Sequence, residues 1–201
     1  MDHLDRLLAE AGPLLHRVDA VLSAGGAPAA HPVWHQLRRV RLLPADAVRT
    51  VAALRPGDLT DAPTGVRAAA RTCATVADSL PGPADWSGPA ADAYDESRRA
   101  LAGHLSGSPD ALEARLHATA DLAESLLTWM RATRDQVAET LADVLVSTQA
   151  IALATDRTDS SSPTQQEAAA NIATRTLQTI GDAYDQAADL LYRARPLRDP
   201  R

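Results

Sequence analysis

The sequence predicts an all-α protein, an elongated bundle of antiparallel helix hairpins, and three observations carry that expectation. Alanine and leucine supply most of the apolar surface, phenylalanine is absent, and aromatics make up 3% of the chain. Alanine loses the least side-chain entropy in a helix, and its size lets neighbouring helices approach closely. Apolar residues recur at three- and four-residue spacing over most of the length. Most prolines and glycines fall at the ends of these periodic segments, where they punctuate helices.

Taken in order, residues 2–24 place Leu4, Leu7, Leu8, Ala11, Leu15, Val18 and Leu22 at helical spacing, with Pro13 expected to kink or split the helix. Gly25-Gly26 ends it. His31-Pro32 opens a short segment carrying Val33, Trp34, Leu37 and Val40. Pro44 marks a first helical position, and Val48, Val51 and Leu54 carry the stripe to Pro56-Gly57. Residues 1–60 thus form short helices joined by Pro/Gly breaks, a cap or docking unit beside a bundle over 61–196.

From Thr64, a stripe of Val66, Ala69, Ala70, Cys73, Val76, Ala77 and Leu80 predicts an amphipathic helix. Pro81-Gly82-Pro83 breaks it, and Pro89 starts the next with Ser87 or Gly88 as N-cap. That helix shows Ala90, Tyr94, Ser97, Leu101 and Leu105 on one side and ends at Gly107. Ser108-Pro109-Asp110 signals a further start. Leu112, Leu116, Ala123, Leu126, Met130, Val137, Val144 and Ile151, widened by Leu122, Leu127, Leu141 and Leu145, then predict one helix over 110–154. At 1.5 Å per residue that is about 68 Å of helix, which needs a partner along its length. The partner is the last helix, announced by Ser162-Pro163-Thr164-Gln165 in a capping-box arrangement after the polar loop Asp159-Ser160-Ser161. Ala169, Ala173, Leu177, Ile180, Tyr184, Ala188 and Leu191 form its stripe. It ends at Pro196, and the tail 197–201 is expected to be loose. Two antiparallel hairpins packed at roughly 20° form the predicted core.

Composition narrows function by exclusion. A net charge of −6, with arginines interleaved among acids, argues against a nucleic-acid surface. No apolar run approaches the roughly 18 residues of a membrane span. The acidic start Met1-Asp2-His3-Leu4-Asp5 lacks the basic and apolar regions of a signal peptide. The lone Cys73 makes no internal disulfide and is expected in the core.

No cofactor motif, phosphate loop or catalytic constellation is visible, so the chain reads as a non-enzyme. His31 and His35 are four apart, but Pro32 spoils a helical metal pair. Glu113 and His117 are also four apart, not the Glu-x-x-His spacing of di-iron bundles. The most specific feature is Trp86-Ser87-Gly88-Pro89-Ala90-Ala91-Asp92-Ala93-Tyr94, a bulky aromatic in a helix–helix connection. In one reading Trp86 caps the bundle and buries its ring against Leu80 and Leu105 or nearby side chains. In the other it offers an aromatic edge to a partner.

That stretch, between an alanine-rich helix and a second helix, resembles the Trp-x-Gly hairpin of the WXG (ESX-like) proteins of bacterial type VII secretion. The resemblance covers about residues 62–155, and the greater length is similar to PPE or LXG-type helical modules. It implies a protein exported without a signal peptide that works through helix-to-helix association, as a homo- or heterodimer and in contact with a secretion ATPase. Trp86, Gly88 and Tyr94 are the residues it marks as partner and secretion motif. The companion Tyr-x-x-x-Asp/Glu element is missing: Arg98 follows Tyr94 by four, Ala188 follows Tyr184, and Pro196 follows Tyr192. Asp189 is one residue late, about 100° round a helix. The alternative is a cytoplasmic scaffold or regulatory bundle whose Trp86 turn is purely structural. A third expectation, the targeting module of a toxin, finds no toxin domain within these residues, and a longer native reading frame would revive it.

Overall fold

The computed structural model describes residues 3–155 and 162–198, and its regular elements are all helices, with no strand among the described residues. The helices are α1 (His3–Gly25), α2 (Val33–Val40), α3 (Pro44–Ala52), α4 (Ala62–Ser79), α5 (Pro89–Leu105), α6 (Leu112–Leu145), α7 (Thr148–Thr155), α8 (Pro163–Arg193) and α9 (Arg195–Arg198). A 3₁₀ turn, Pro56–Leu59, precedes α4.

The chain divides into two compact units, residues 1–55 with 128–188, and residues 56–127 with 189–201. Of residues 1–60, expected as a cap or docking unit, 1–55 share a unit with the second half of α6 and most of α8. Leu4, Ala11 and Leu15 of α1 pack with Val48 and Val51 of α3, Val137 and Leu141 of α6, and Leu177 and Ile180 of α8. A second cluster joins Val18 and Val21 of α1, Val33 of α2, Val144, Leu153 of α7, and Ile172 of α8. Each fully buried aliphatic side chain here contributes about 1.5–3 kcal/mol relative to exposure.

Local signals account for most helix ends in this unit. Gly26 adopts φ +72° and its N–H donates to Leu22 O, closing α1. Trp34 folds back so that its Nε1 donates to Pro28 O at 2.9 Å. Ser162 Oγ accepts the N–H of Gln165 at 3.2 Å and caps α8. The reciprocal arm of the capping box is not made: Gln165 Oε1 accepts no hydrogen bond, and its Nε2 donates to Ala152 O of α7. The rest of the expected polar loop, 159–161, lies outside the described residues.

Four expectations are corrected. Pro13 does not split α1, which runs through it as one element. Pro13 and Ala9, whose carbonyl loses its partner, are both exposed, so water can satisfy the orphan acceptor. The long helix starts at Leu112 rather than at Ser108-Pro109-Asp110, which makes a turn closed by Ala111 N–H to Ser108 O. It also breaks after Leu145, and α7 leaves at 57°. There Ser147 Oγ accepts the Ala150 N–H at 3.1 Å and donates to Val144 O at 2.7 Å, capping a new helix and diverting the old one. Finally, Leu197 and Arg198 belong to α9 instead of a loose tail.

The α6–α8 pairing predicted from the stripes is present in this unit. Trp129 Nε1 donates to Ala183 O at 2.9 Å, and the Thr140 and Thr179 hydroxyls meet at 3.0 Å. The α8 stripe is buried from Ala169 to Ile180 and half-buried at Tyr184, but Ala188 and Leu191 are exposed. No single described helix is long and apolar enough to cross a membrane.

Two polar side chains, half-buried Asp19 and buried Arg134, bind short α3 into place. Asp19 of α1 accepts the Ala45 N–H at 3.3 Å, serving the start of α3 from a neighbouring helix. At the other end, Arg134 of α6, 5% exposed, donates to Ala52 O at 2.6 Å and Leu54 O at 3.0 Å, and to Asp5 Oδ1 at 3.1 Å.

Burial pushes Asp19 up to about 6, opposed by the Ala45 hydrogen bond and reinforced by the Asp46 charge. The folded state thus holds this proton to higher pH than the unfolded chain, whose ordinary value is 3.8. Its contribution to stability is most favourable below pH 3.8 and is lost as pH rises to about 6. Asp19→Asn keeps an acceptor for Ala45 and removes the ionisation. After screening at this half-exposed site, the variant is expected to be about 1 kcal/mol more stable than the parent at pH 7.5. The gap closes below pH 4, and urea titrations across that range check it; a gap independent of pH rejects the assignment.

Candidate functional site

The connection between α4 and α5 is built from punctuators that leave its aromatic outside. Leu80 ends α4 in extended conformation, and the Trp86 N–H donates to Pro83 O at 3.0 Å to close a turn. Ala84 sits at φ +49°. Gly88 then adopts φ +99°, ψ −179°, a region open essentially to glycine alone. Pro89 follows at the first helical position, and Asp92 N–H reaches Gly88 O at 3.1 Å to start α5.

A side chain at Gly88 would meet nothing within 4 Å, so space does not demand glycine there; the backbone does. Trp86 remains 51% exposed. Its ring lies 5.7 Å from that of Tyr94, tilted at 41°. Tyr94 in turn donates its hydroxyl to Pro81 O at 2.8 Å. The three residues marked in the sequence therefore meet in one place: Gly88 sets the turn, Tyr94 braces it, and Trp86 lies on Tyr94 with half its surface open. The aromatic neighbour of Trp86 is Tyr94. The surface offered is aromatic and neutral, flanked by exposed Asp85 and Asp92.

The helices beside it pack through smaller residues than their apolar stripes suggested. α4 and α5 contact each other. Their buried residues are Pro63, Ala70, Ala77 and Ala91, whereas Val76 and Leu101 are 42% and 49% exposed. Cys73 is a free thiol at an intermediate position rather than a core residue. Four residues after Tyr94, Arg98 pairs with Asp95 at 2.7 Å, so a basic group occupies the place of the absent acid.

The other sequence candidates resolve into structural roles. His31 precedes α2, and its Nδ1 accepts the Val33 N–H at 3.1 Å, capping that helix. That bond leaves the ring proton on Nε2, which faces Asn171 Oδ1 at 3.4 Å. His35 is exposed, and no cluster of three metal-ligating side chains occurs among the described residues. His117 Nε2 lies 3.9 Å from Glu113, whose other oxygen accepts the Ser106 hydroxyl in a short hydrogen bond. The carboxylate stands between serine and histidine, so the histidine is not placed to take the serine proton as a nucleophile would require.

Against known proteins, no family model, curated protein or solved structure matches the chain. Sequence reasoning passed over Arg134, because its partners lie roughly 80 and 130 residues away in the chain. Its only local signal is an arginine on a helix face that carries buried Val137 and Leu141.

Proposed function

We propose that this is a non-enzymatic helical protein of the type VII (ESX-like) secretion class, a substrate or secretion-associated partner acting through helix-to-helix association. In this reading α4 and α5 are the arms of an antiparallel hairpin, and the Trp86-Ser87-Gly88 turn meets a helical partner or a second copy. The observation that carries it is the half-exposed Trp86 ring, propped on Tyr94 rather than sunk into a core. Aromatics held this way anchor interfaces, because a rigid ring gains contact area at little entropic cost. Without an acid four residues after any of its tyrosines, the chain depends on a partner to supply the other half of an export feature.

Trp86→Ala separates this reading from a purely structural turn. A partner anchor leaves stability within about 0.5 kcal/mol and weakens association in light scattering with the genomic neighbour's product. A buried cap costs about 3–5 kcal/mol instead. Export is tested by the protein's appearance in culture fluid; secretion that persists after deletion of the system's membrane ATPase rejects the type VII assignment.

The internal ties of the turn favour a second reading, a cytoplasmic scaffold in which the Trp86–Tyr94–Pro81 arrangement merely closes the connection. It predicts unchanged association in Trp86→Ala.

A further inference from the structure

In the unit formed by residues 56–127 and 189–201, the α4–α5 pair is held differently from the helices of the other core. Its own buried residues are a proline and three alanines, each offering little area to bury. No large aliphatic cluster includes α4 or α5 among the described residues. Charge joins α4 to α6. Arg67 Nη2 donates to Asp121 Oδ1 at 2.7 Å and to Glu124 Oε2 at 2.6 Å, two acids three apart on α6. At the far end of the pair, Ser106 donates to Glu113 of α6, next to Gly107 at φ +91°. On the near side the Pro56–Leu59 turn leads into α4.

We propose that α4–α5 is a latched element that leaves α6 as one piece, with Arg67 on Asp121 and Glu124 as the latch and the connections 56–61 and 106–111 as its hinges. Helices that bury few large side chains populate sub-global openings well below the global unfolding free energy. An exposed ion pair that holds such an element closed weakens as salt screens it, the screening length falling from about 30 Å at 0.01 M to about 3 Å at 1 M. The latch is independent of the function proposed above. Where both hold, Trp86 travels with the pair, because its turn connects α4 to α5.

Hydrogen exchange of the full chain, followed by mass spectrometry, tests this. Amides of α4 and α5 are expected to share one protection level, at least about tenfold below the slowest amides of α1 and α8. Raising sodium chloride from about 0.01 M to about 1 M speeds exchange in α4–α5 by about two- to fivefold, with the α8 core as internal control. Arg67→Gln reproduces that acceleration at low salt and flattens the salt response, whereas Arg67→Lys retains part of it. Exchange in α4–α5 at the rate of the α1 and α8 core overturns the proposal. So does a salt-independent rate in the parent, or an Arg67→Gln variant that exchanges like it.

Discussion

Replacing Arg134 with alanine is expected to destabilise the unit that contains it by about 3–5 kcal/mol. That loss would be the largest of the substitutions considered for this chain. The guanidinium is 5% exposed, and its Nη1 spans the carbonyls of Val51, Ala52 and Leu54 where α3 ends. Helix C-termini leave carbonyls without intrahelical donors, and a cation there also meets the negative end of the helix dipole. In the alanine variant those acceptors lose a charged donor, and Asp5 loses its guanidinium contact. Arg134→Met refills most of the volume but none of the hydrogen bonds, so its cost, about 2–3 kcal/mol, isolates the polar share. Trp34 and Trp129 lie in the same unit and report the urea transition by fluorescence. A loss below 1 kcal/mol in both variants would show that water replaces the arginine and that the bonds carry little.

Arg134 also marks the limit of what the chain discloses as text. Elements defined by neighbours in sequence were legible: Pro44 at the first turn of α3, Gly26 past the end of α1, Ser162 before α8. These signals work within four residues, through a fixed φ, a left-handed residue or a capping hydroxyl. The all-helical class followed for the same reason, since helix hydrogen bonds are local. The faces were less legible where the packing residue is alanine. Of the stripe expected in α4, Ala70 and Ala77 are buried and Val66, Cys73 and Leu80 half-buried, whereas Ala69 and Val76 are exposed. Periodicity is read from bulky residues, while close helix contact selects small ones, and alanine is too frequent here to show a phase. Ser147 lay inside an apolar pattern, so its capping role was masked by the residues around it. The Trp86 stretch was legible as a turn with Ser87 or Gly88 as N-cap, but no local signal announces the ring's seat on Tyr94.

Gly88→Ala is expected to cost about 1–3 kcal/mol of local stability, through the backbone alone. At φ +99°, ψ −179° a Cβ is strained wherever it points, and here it would touch no neighbour within 4 Å. Gly103→Ala inside α5 is the matched control: its surroundings are equally open, its backbone is helical, and the change should stabilise by about 0.5–1 kcal/mol. Opposite signs for the same added methyl, read by hydrogen exchange over the first turn of α5, would identify conformation as the cause. Equal effects would mean that the turn relaxes freely and that glycine is not required. The distinction bears on how the Trp-Ser-Gly pattern is weighed. A glycine demanded by its own φ and ψ has a structural reason to be there with or without a partner. Its presence beside Trp86 therefore adds little to the case for recognition. That case rests on the ring itself, which the turn holds half open and which Trp86→Ala can remove without straining the backbone that Gly88 supports.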